Sequence, residues 1–200
     1  MKKSAGQDKI PLDQISCKLA TKVLVKNKFV APTAERRMRN ANLNEVTIQR
    51  IYSLPFKLTK DTRLSIFQFT EIVHHILPTN ATLHRDSLRE NDRCHLCKER
   101  ETLTHLFVTC PIVQIFWSCF VNWWNSKSQD EINLDENDII YGVTTNFPLR
   151  LGLNLCLIIA KQYIYTASQK EEDYYWDAFM AILTNKIEIE KHKAKLQIII

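Results

Sequence analysis

Apolar residues recur at intervals of three, four and seven positions along much of the chain, which is the spacing of one face of an α-helix. The clearest stretch is 111–125, where Pro111 stands at a suitable first helical position. Aromatic side chains at helical spacing belong to a hydrophobic core more often than to a base-stacking surface. We therefore predict one buried stripe, made of Ile112, Ile115, Phe116, Cys119, Phe120 and Trp123.

Similar patterns predict other helices, and prolines and capping residues indicate where they start and stop. Asp61 or Thr62 fits an N-cap, and Pro78 is expected to end the helix that follows. Pro55 is expected to force Leu54 out of helical angles, so a connector is predicted there. The predicted helices are about 12–30, 43–53, 61–77, 79–88, 101–110, 111–125, 148–168 and 171–196, with a further short helix at the end of the acidic stretch 126–142.

Three cysteines and a histidine share the stretch 94–110, "CHLCKERETLTHLFVTC". A C-x2-C pair on a tight turn aims two thiolates at one point, and the histidine and last cysteine follow about one helical turn apart. Three sulfurs and one imidazole match a closed structural zinc site, which has no open position for a substrate. The alternative is three buried free cysteines and a helix-borne histidine. The zinc ligands of the first interpretation are Cys94, Cys97, His105 and Cys110, with Cys17, Cys119 and Cys156 as free thiols elsewhere.

Composition narrows the fold class. A hydrophobic content of 45% is enough to bury a core, and three glycines and six prolines are too few for the turns of a β-sandwich or barrel. The predicted fold is mainly α, a small zinc-stapled helical module followed by a long helical hairpin. The predicted division is a basic N-terminal arm with one helix at 1–44, a CCHC module at 45–125, an acidic linker at 126–147 and the hairpin at 148–200.

The net charge of +5 is concentrated in the first third of the chain. Residues 1–60 carry +9, 61–120 carry −1 and 121–200 carry −3. The densest basic stretch is "AERRMRN" at 34–40. Such a stretch fits phosphate neutralisation on a nucleic acid, and it equally fits a solvated flexible arm.

No segment has the pattern of a membrane anchor or a secretory leader. The longest apolar run, at 151–160, is too short to span a bilayer, and no apolar stretch follows the first lysines. We therefore expect an intracellular, reducing location and no membrane partner.

The segments around the cysteine motif resemble the zinc-binding region found downstream of the polymerase in non-LTR retrotransposon (LINE-type) reverse transcriptases. The resemblance covers about residues 30–125, and "IIAKQYIY" at 158–165 is similar to the helical tail that often follows. The spacer between Cys97 and His105 is longer than that of the retroviral nucleocapsid knuckle, so the two motifs are distinct. The segments are "LPFKLTKDTRLSIFQF" (54–69), "HHILPTNATLHR" (74–85), "CHLCKERETLTHLFVTC" (94–110) and "FW" (116–117).

This resemblance implies a structural Zn²⁺ on the four motif residues and a role in handling RNA or target DNA during reverse transcription. It also implies a nuclear location and a reverse transcriptase polymerase body as a partner. The chain has no Asp-Asp dipeptide for polymerase metals and no Pro-Asp start of an endonuclease. We therefore expect a detached or truncated, non-catalytic part of a longer element.

Basic residues near the motif are the candidates for nucleic-acid contact. Arg93, Lys98 and Arg100 would also offset the charge of about −1 that Zn²⁺ carries with three thiolates and a neutral histidine. One alternative function is a structural or protein-interaction module that docks on a polymerase body through the Trp-rich stripe, without nucleic acid. Another is a relic retroelement reading frame. The full candidate set is His84, Arg85, Arg89, Arg93, Lys98 and Arg100.

Other polar groupings are interpreted as structural. Glu71, His74 and His75 share one helical face, but the second half of a carboxylate-bridged metal site is absent from the sequence. Lys161, Tyr163 and Tyr165 are expected to pack and to extend their polar ends to water. No Ser-His-Asp order or glycine-rich phosphate loop indicates catalysis.

Overall fold

The computed structural model describes residues 33–128, 131–145 and 150–198. Within these residues the protein is mainly helical and has no β-strand, which confirms the predicted fold class. The predicted helix at 12–30 and Cys17 lie outside the described residues. The α-helices are α1 (Thr33–Asn40), α2 (Glu45–Leu58), α3 (Thr62–Ile66), α4 (Asn80–Arg85), α5 (Pro111–Lys127), α6 (Glu136–Tyr141), α7 (Leu151–Gln169) and α8 (Trp176–Ile198).

Helix α2 continues through Pro55, so the connector predicted there is wrong. A proline inside a helix lacks one backbone hydrogen bond and costs about 3 kcal/mol. Leu54 and Pro55 are both buried, and the buried hydroxyl of Ser65 donates a hydrogen bond to the Pro55 carbonyl at 3.3 Å. The packing of α2 against α3 therefore outweighs the local tendency of proline to end a helix.

Helix α3 starts as predicted, because the Asp61 carboxylate accepts hydrogen bonds from the backbone N–H groups of Arg63 and Leu64. It then widens into a π-helical segment, Phe67–Val73, and ends before Pro78. The predicted end at Pro78 is therefore wrong by several residues. The chain turns earlier because His75 adopts a positive φ of 56°.

Helix α5 begins at Pro111 as predicted, but its buried face is rotated from the predicted stripe. Ile112 and Ile115 are 38% and 62% exposed, and Cys119 is exposed, so their predicted burial is wrong. The indole N–H of Trp117 donates to the Phe107 carbonyl at 2.7 Å and fixes this rotation. The residues of α5 that are buried are Val113, Phe116, Trp117 and Phe120.

Helices α7 and α8 form the predicted hairpin and cover the aromatic face of α5. The Phe116 ring lies with its centroid 5.8 Å from Trp176 and 5.1 Å from Phe179. Helix α8 begins five residues later than predicted, because residues 170–175 turn between the helices with Glu171 at a φ of 58°. We call residues 170–175 the α7–α8 connection.

Lys161 lies inside the core, so the prediction that it reaches water is wrong. Its side chain is fully buried in α7, and its Nζ donates to the Ile140 carbonyl at 2.9 Å. The Gln68 side-chain amide donates to the same carbonyl at 2.9 Å. Burial without an anionic partner lowers the pKa of Lys161 to about 7.

Two predicted polar segments contain ordered structure. The basic stretch 34–40 falls in α1, where Arg39 pairs with Glu35 and Glu45. The acidic segment ends in α6, which confirms the short helix predicted there, and Ile139 and Ile140 are buried in it. The division of the chain into four parts stays a prediction.

Candidate metal centre

The backbone of the Cys94–Cys97 segment forms a tight turn. The Cys94 N–H donates to the Glu99 carbonyl at 2.7 Å, and the Lys98 N–H donates to the Cys94 carbonyl at 3.0 Å. Lys98 adopts a φ of 65°, a left-handed conformation that lets the chain reverse after the second cysteine. An isolated antiparallel bridge between Arg93 and Arg100 closes the turn.

Four side chains converge beside this turn. The ligand atoms of Cys94, Cys97, His105 and Cys110 all lie within 4.8 Å of one another. The Cys97 sulfur is 3.1 Å from His105 Nε2 and 3.9 Å from the Cys110 sulfur. Three of the four residues are buried and Cys97 is partly buried, so the cluster is closed to bulk solvent.

His105 and Cys110 reach the cluster from the two ends of a second π-helical segment, His105–Thr109. Leu106 and Phe107 in this segment are fully buried and anchor it in the core. The Cys110 N–H donates to the His105 carbonyl at 3.0 Å, which sets the separation of the two side chains. Pro111 then starts α5 directly after the last cysteine.

The thiols of the cluster are electrostatically coupled. A hydrogen bond with Cys110, together with burial, raises the pKa of Cys94 to about 12, and the same bond lowers the pKa of Cys110. A bound divalent cation deprotonates coordinating thiols outright. The donor set of three sulfurs and one imidazole therefore fits a structural Zn²⁺.

A second grouping, Cys94 with His95 and Glu101, also has its ligand atoms within 4.8 Å. Three of its polar atoms already have protein partners, whereas the buried His95 Nδ1 has none within the described residues. His95 Nε2 lies 3.0 Å from the Glu172 carbonyl, and Glu101 accepts hydrogen bonds through both carboxylate oxygens. The four-residue cluster is the better metal site.

Comparison with known protein families agrees with this geometry. Residues 37–117 match the family model for zinc-binding in reverse transcriptase. The matched segment contains all four cluster residues and less than half of the chain. No curated protein and no solved structure matches the chain. The zinc-binding segment, as we call residues 37–117, therefore carries the family resemblance.

Asn80 and Glu101 hold the zinc-binding segment together, and the sequence analysis assigned neither of them to the site. Glu101 is fully buried, and one of its carboxylate oxygens accepts from the Asn80 backbone N–H at 3.1 Å. The Asn80 side-chain amide donates to the Arg93 carbonyl at 2.8 Å. Burial raises the pKa of Glu101. Near this contact, Thr79 caps α4 through its side chain, a local feature of the kind that a sequence pattern can show.

Three of the six basic candidates line one open cleft beside Cys94, with a volume of about 460 Å³. They are Arg89, Arg93 and Lys98. Arg89 is held in place, since its guanidinium donates to the side-chain oxygen of Asn80. Glu90 and Glu171 line the cleft as well, so its surface also carries negative charge.

The other three candidates lie outside this cleft. Arg85 and Arg100 line a separate recess of about 210 Å³, and each pairs with an aspartate, Asp86 and Asp92 respectively. His84 lines a shallow hollow with Arg89, and its Nδ1 lies 3.1 Å from the Arg89 carbonyl. The structure therefore places three candidates in one cleft and distributes the others around α4.

Proposed function

We propose that this chain is a non-catalytic, zinc-stapled nucleic-acid-binding module of a reverse transcriptase, of the type downstream of the polymerase in LINE-type elements. Cys94, Cys97, His105 and Cys110 are the proposed zinc ligands. The family match and the four-residue cluster support the zinc-binding part of this proposal. RNA or DNA is the proposed partner.

The observation that carries the nucleic-acid part is the position of the cleft relative to the cluster. Arg93 and Lys98 flank the first two cysteines, and their side chains line the same cleft as Cys94. Arg93 donates to the Lys98 carbonyl at 3.3 Å, and the Lys98 amine donates to the His95 carbonyl at 2.6 Å. A bound zinc ion would thus fix the turn that presents both cations to phosphate.

Substitutions that remove the positive charges of the cleft test this function. The variant with Arg93→Gln and Lys98→Gln is expected to bind single-stranded RNA and duplex DNA more weakly, as measured by fluorescence anisotropy over a salt series. Each lost phosphate contact reduces the salt slope by roughly 0.7 to 0.9. Zinc content per chain, measured on the same samples, reports whether the turn is intact.

The matched control removes two exposed lysines from other helices, Lys127→Gln and Lys191→Gln. This control changes the net charge by the same amount. If phosphate contacts the cleft itself, the control should bind nucleic acid nearly as tightly as the wild-type chain does. An equal loss of affinity in both variants would mean that binding depends on the overall charge of the protein and not on the cleft. Unchanged affinity in the cleft variant would refute the proposed contact.

A second candidate function is docking on a polymerase body, and the structure changes the surface that would do it. The Trp-rich face of α5 is covered by Trp176 and Phe179 of the same chain. The exposed edge of α5 instead presents Ile112, Ile115 and Cys119. Ile115→Asp is expected to abolish such docking in a pull-down with the polymerase while leaving RNA binding intact.

A further inference from the structure

Four rings form a cluster on the surface of the zinc-binding segment. They belong to residues 52–74, which precede the four zinc-ligand candidates in the chain. The Phe69 ring centroid lies 5.1 Å from Phe56, 5.1 Å from His74 and 6.0 Å from Tyr52. Tyr52 and His74 are in turn 6.1 Å apart. We call Tyr52, Phe56, Phe69 and His74 the ring platform.

The ring platform is only partly used by the fold. Phe56 is 55% exposed, and the other three rings are partly buried. Phe56 and Tyr52 stand four residues apart on α2, so they share one helical face. Phe69 supports Phe56 from the π-helical segment, which holds the exposed ring against a second ring.

The chain segment that carries the ring platform has a net positive charge, which favours an anionic ligand over an apolar one. Residues 33–76 contain seven Lys or Arg and four Asp or Glu, a net charge of +3. Lys57 and Lys60 follow Phe56 in the chain, and both are exposed, as is Arg63 at the start of α3. Within the described residues, Arg63 has no ion pair.

We propose that the ring platform stacks unpaired bases of a single-stranded nucleic acid. Rings supply π-faces that accept any base, and neighbouring cations neutralise the backbone, which is the usual construction of single-strand sites. Bases in a duplex are already stacked, so the ring platform discriminates against double strands. This inference rests on the proposed nucleic-acid function and adds the strandedness of the ligand.

The test measures binding of the full chain to a labelled unstructured RNA and to a duplex of the same length. Phe56→Ala is expected to weaken binding to the single strand by roughly fivefold to a hundredfold, the usual contribution of one stacked base. Duplex binding is expected to stay unchanged. Phe56→Trp is expected to restore or strengthen single-strand binding, because a larger π-face stacks at least as well.

Two controls separate stacking from loss of fold and from apolar contact. Ile115→Ala removes a comparably exposed apolar side chain from another helix and is expected to leave binding unchanged. Phe56→Leu keeps apolar bulk without a ring, and it should bind the single strand as weakly as Phe56→Ala does. Circular dichroism and zinc content check each variant.

The outcomes distinguish this inference from the proposed function. If Phe56→Ala binds the single strand as wild type does while Arg93→Gln with Lys98→Gln binds weakly, the ring platform is wrong and the function stands. If Phe56→Leu binds as well as wild type, the surface is apolar and fits a protein partner, which overturns stacking. If the wild-type chain binds neither ligand, both proposals fail.

Discussion

The hydroxyl of Ser168 donates a hydrogen bond to the carboxylate of Glu101 at 3.1 Å, joining residues 67 positions apart in the chain. Both residues are almost completely buried. The other carboxylate oxygen of Glu101 accepts from the Asn80 N–H. Glu101 directly follows the turn at 94–100, which we call the proposed metal-binding turn. Its carboxylate therefore connects this turn with α4 and α7 in one buried contact, and it links the zinc-binding segment to the hairpin.

Ser168→Ala is expected to destabilise the protein by about 1–3 kcal/mol, because it leaves one oxygen of a buried carboxylate without a partner. The free energy of unfolding in urea measures the effect. Ser118→Ala is the matched control, since that hydroxyl is exposed and bonds only to its own helix. A cost of Ser168→Ala no larger than that of the control would show that the contact does not stabilise the fold.

Zinc removal is expected to loosen the α7–α8 connection as well as the proposed metal-binding turn. His95, beside the first ligand, contacts the Glu172 carbonyl at 3.0 Å, so disorder of the turn removes a contact of the connection. Hydrogen exchange measured with and without a chelator should show faster exchange at 94–110 and at 168–176. Exchange at 45–50 is the internal reference.

If zinc binding protects both regions, Cys97→Ser should show the same faster hydrogen exchange without a chelator. The variant should purify with less than one zinc per chain and show the faster exchange even in excess zinc. If the rate of hydrogen exchange at 168–176 does not depend on zinc, the turn and the α7–α8 connection are not coupled.

Glu171→Gln is expected to strengthen nucleic-acid binding modestly, by about twofold to fivefold at low salt. Glu171 lines the basic cleft, and its carboxylate lies 3.9 Å from the Arg89 guanidinium, so it opposes an incoming phosphate. Anisotropy titrations measure the change. Glu188→Gln, at an exposed site further along α8, is the control and should have a smaller effect.

Lys161→Met is expected to stabilise the protein at pH 7 by a few kcal/mol. The pKa of Lys161 is about 7 in the folded state and about 10.4 in an unfolded chain, so the unfolded state binds more protons between these values. Wild-type stability relative to the variant should therefore rise as pH increases from 7 to 10. The Ile140 carbonyl keeps the Gln68 amide as a donor in the variant.

Urea unfolding of both proteins at pH 7 and pH 9.5 measures this difference. Subtracting the two curves removes the titration of cysteines and tyrosines that the proteins share. If the wild-type protein is less stable than the variant by the same free energy of unfolding at both pH values, Lys161 does not cause the pH dependence.

Local sequence signals predicted the metal centre and several helix ends. The spacing of Cys94 and Cys97 determines a turn of a few residues, and the Asp61 cap and Pro111 also act within one helical turn. Such features depend on neighbours in the chain, which the sequence displays directly. For this reason the sequence pattern alone indicates which four side chains converge.

Long-range packing decided what the sequence could not show. Both faces of α5 carry apolar residues, and contacts outside the helix determine that Trp117 points inward while Ile115 points outward. These contacts include the Trp117 hydrogen bond to the Phe107 carbonyl and the packing of the hairpin. The burial of Lys161 depends on the distant Ile140 carbonyl. The contact between Glu101 and Ser168 likewise joins two residues with no common local pattern.

The cover that the hairpin provides for α5 limits how the zinc-binding segment can be isolated. Phe116 packs on Trp176 and Phe179, both of which lie beyond residue 117. A fragment trimmed to the family boundaries would expose these aromatic surfaces to water and is expected to aggregate. The segment therefore cannot be transferred on its own, and chimeras that exchange it between proteins should carry residues 118–192 along with it.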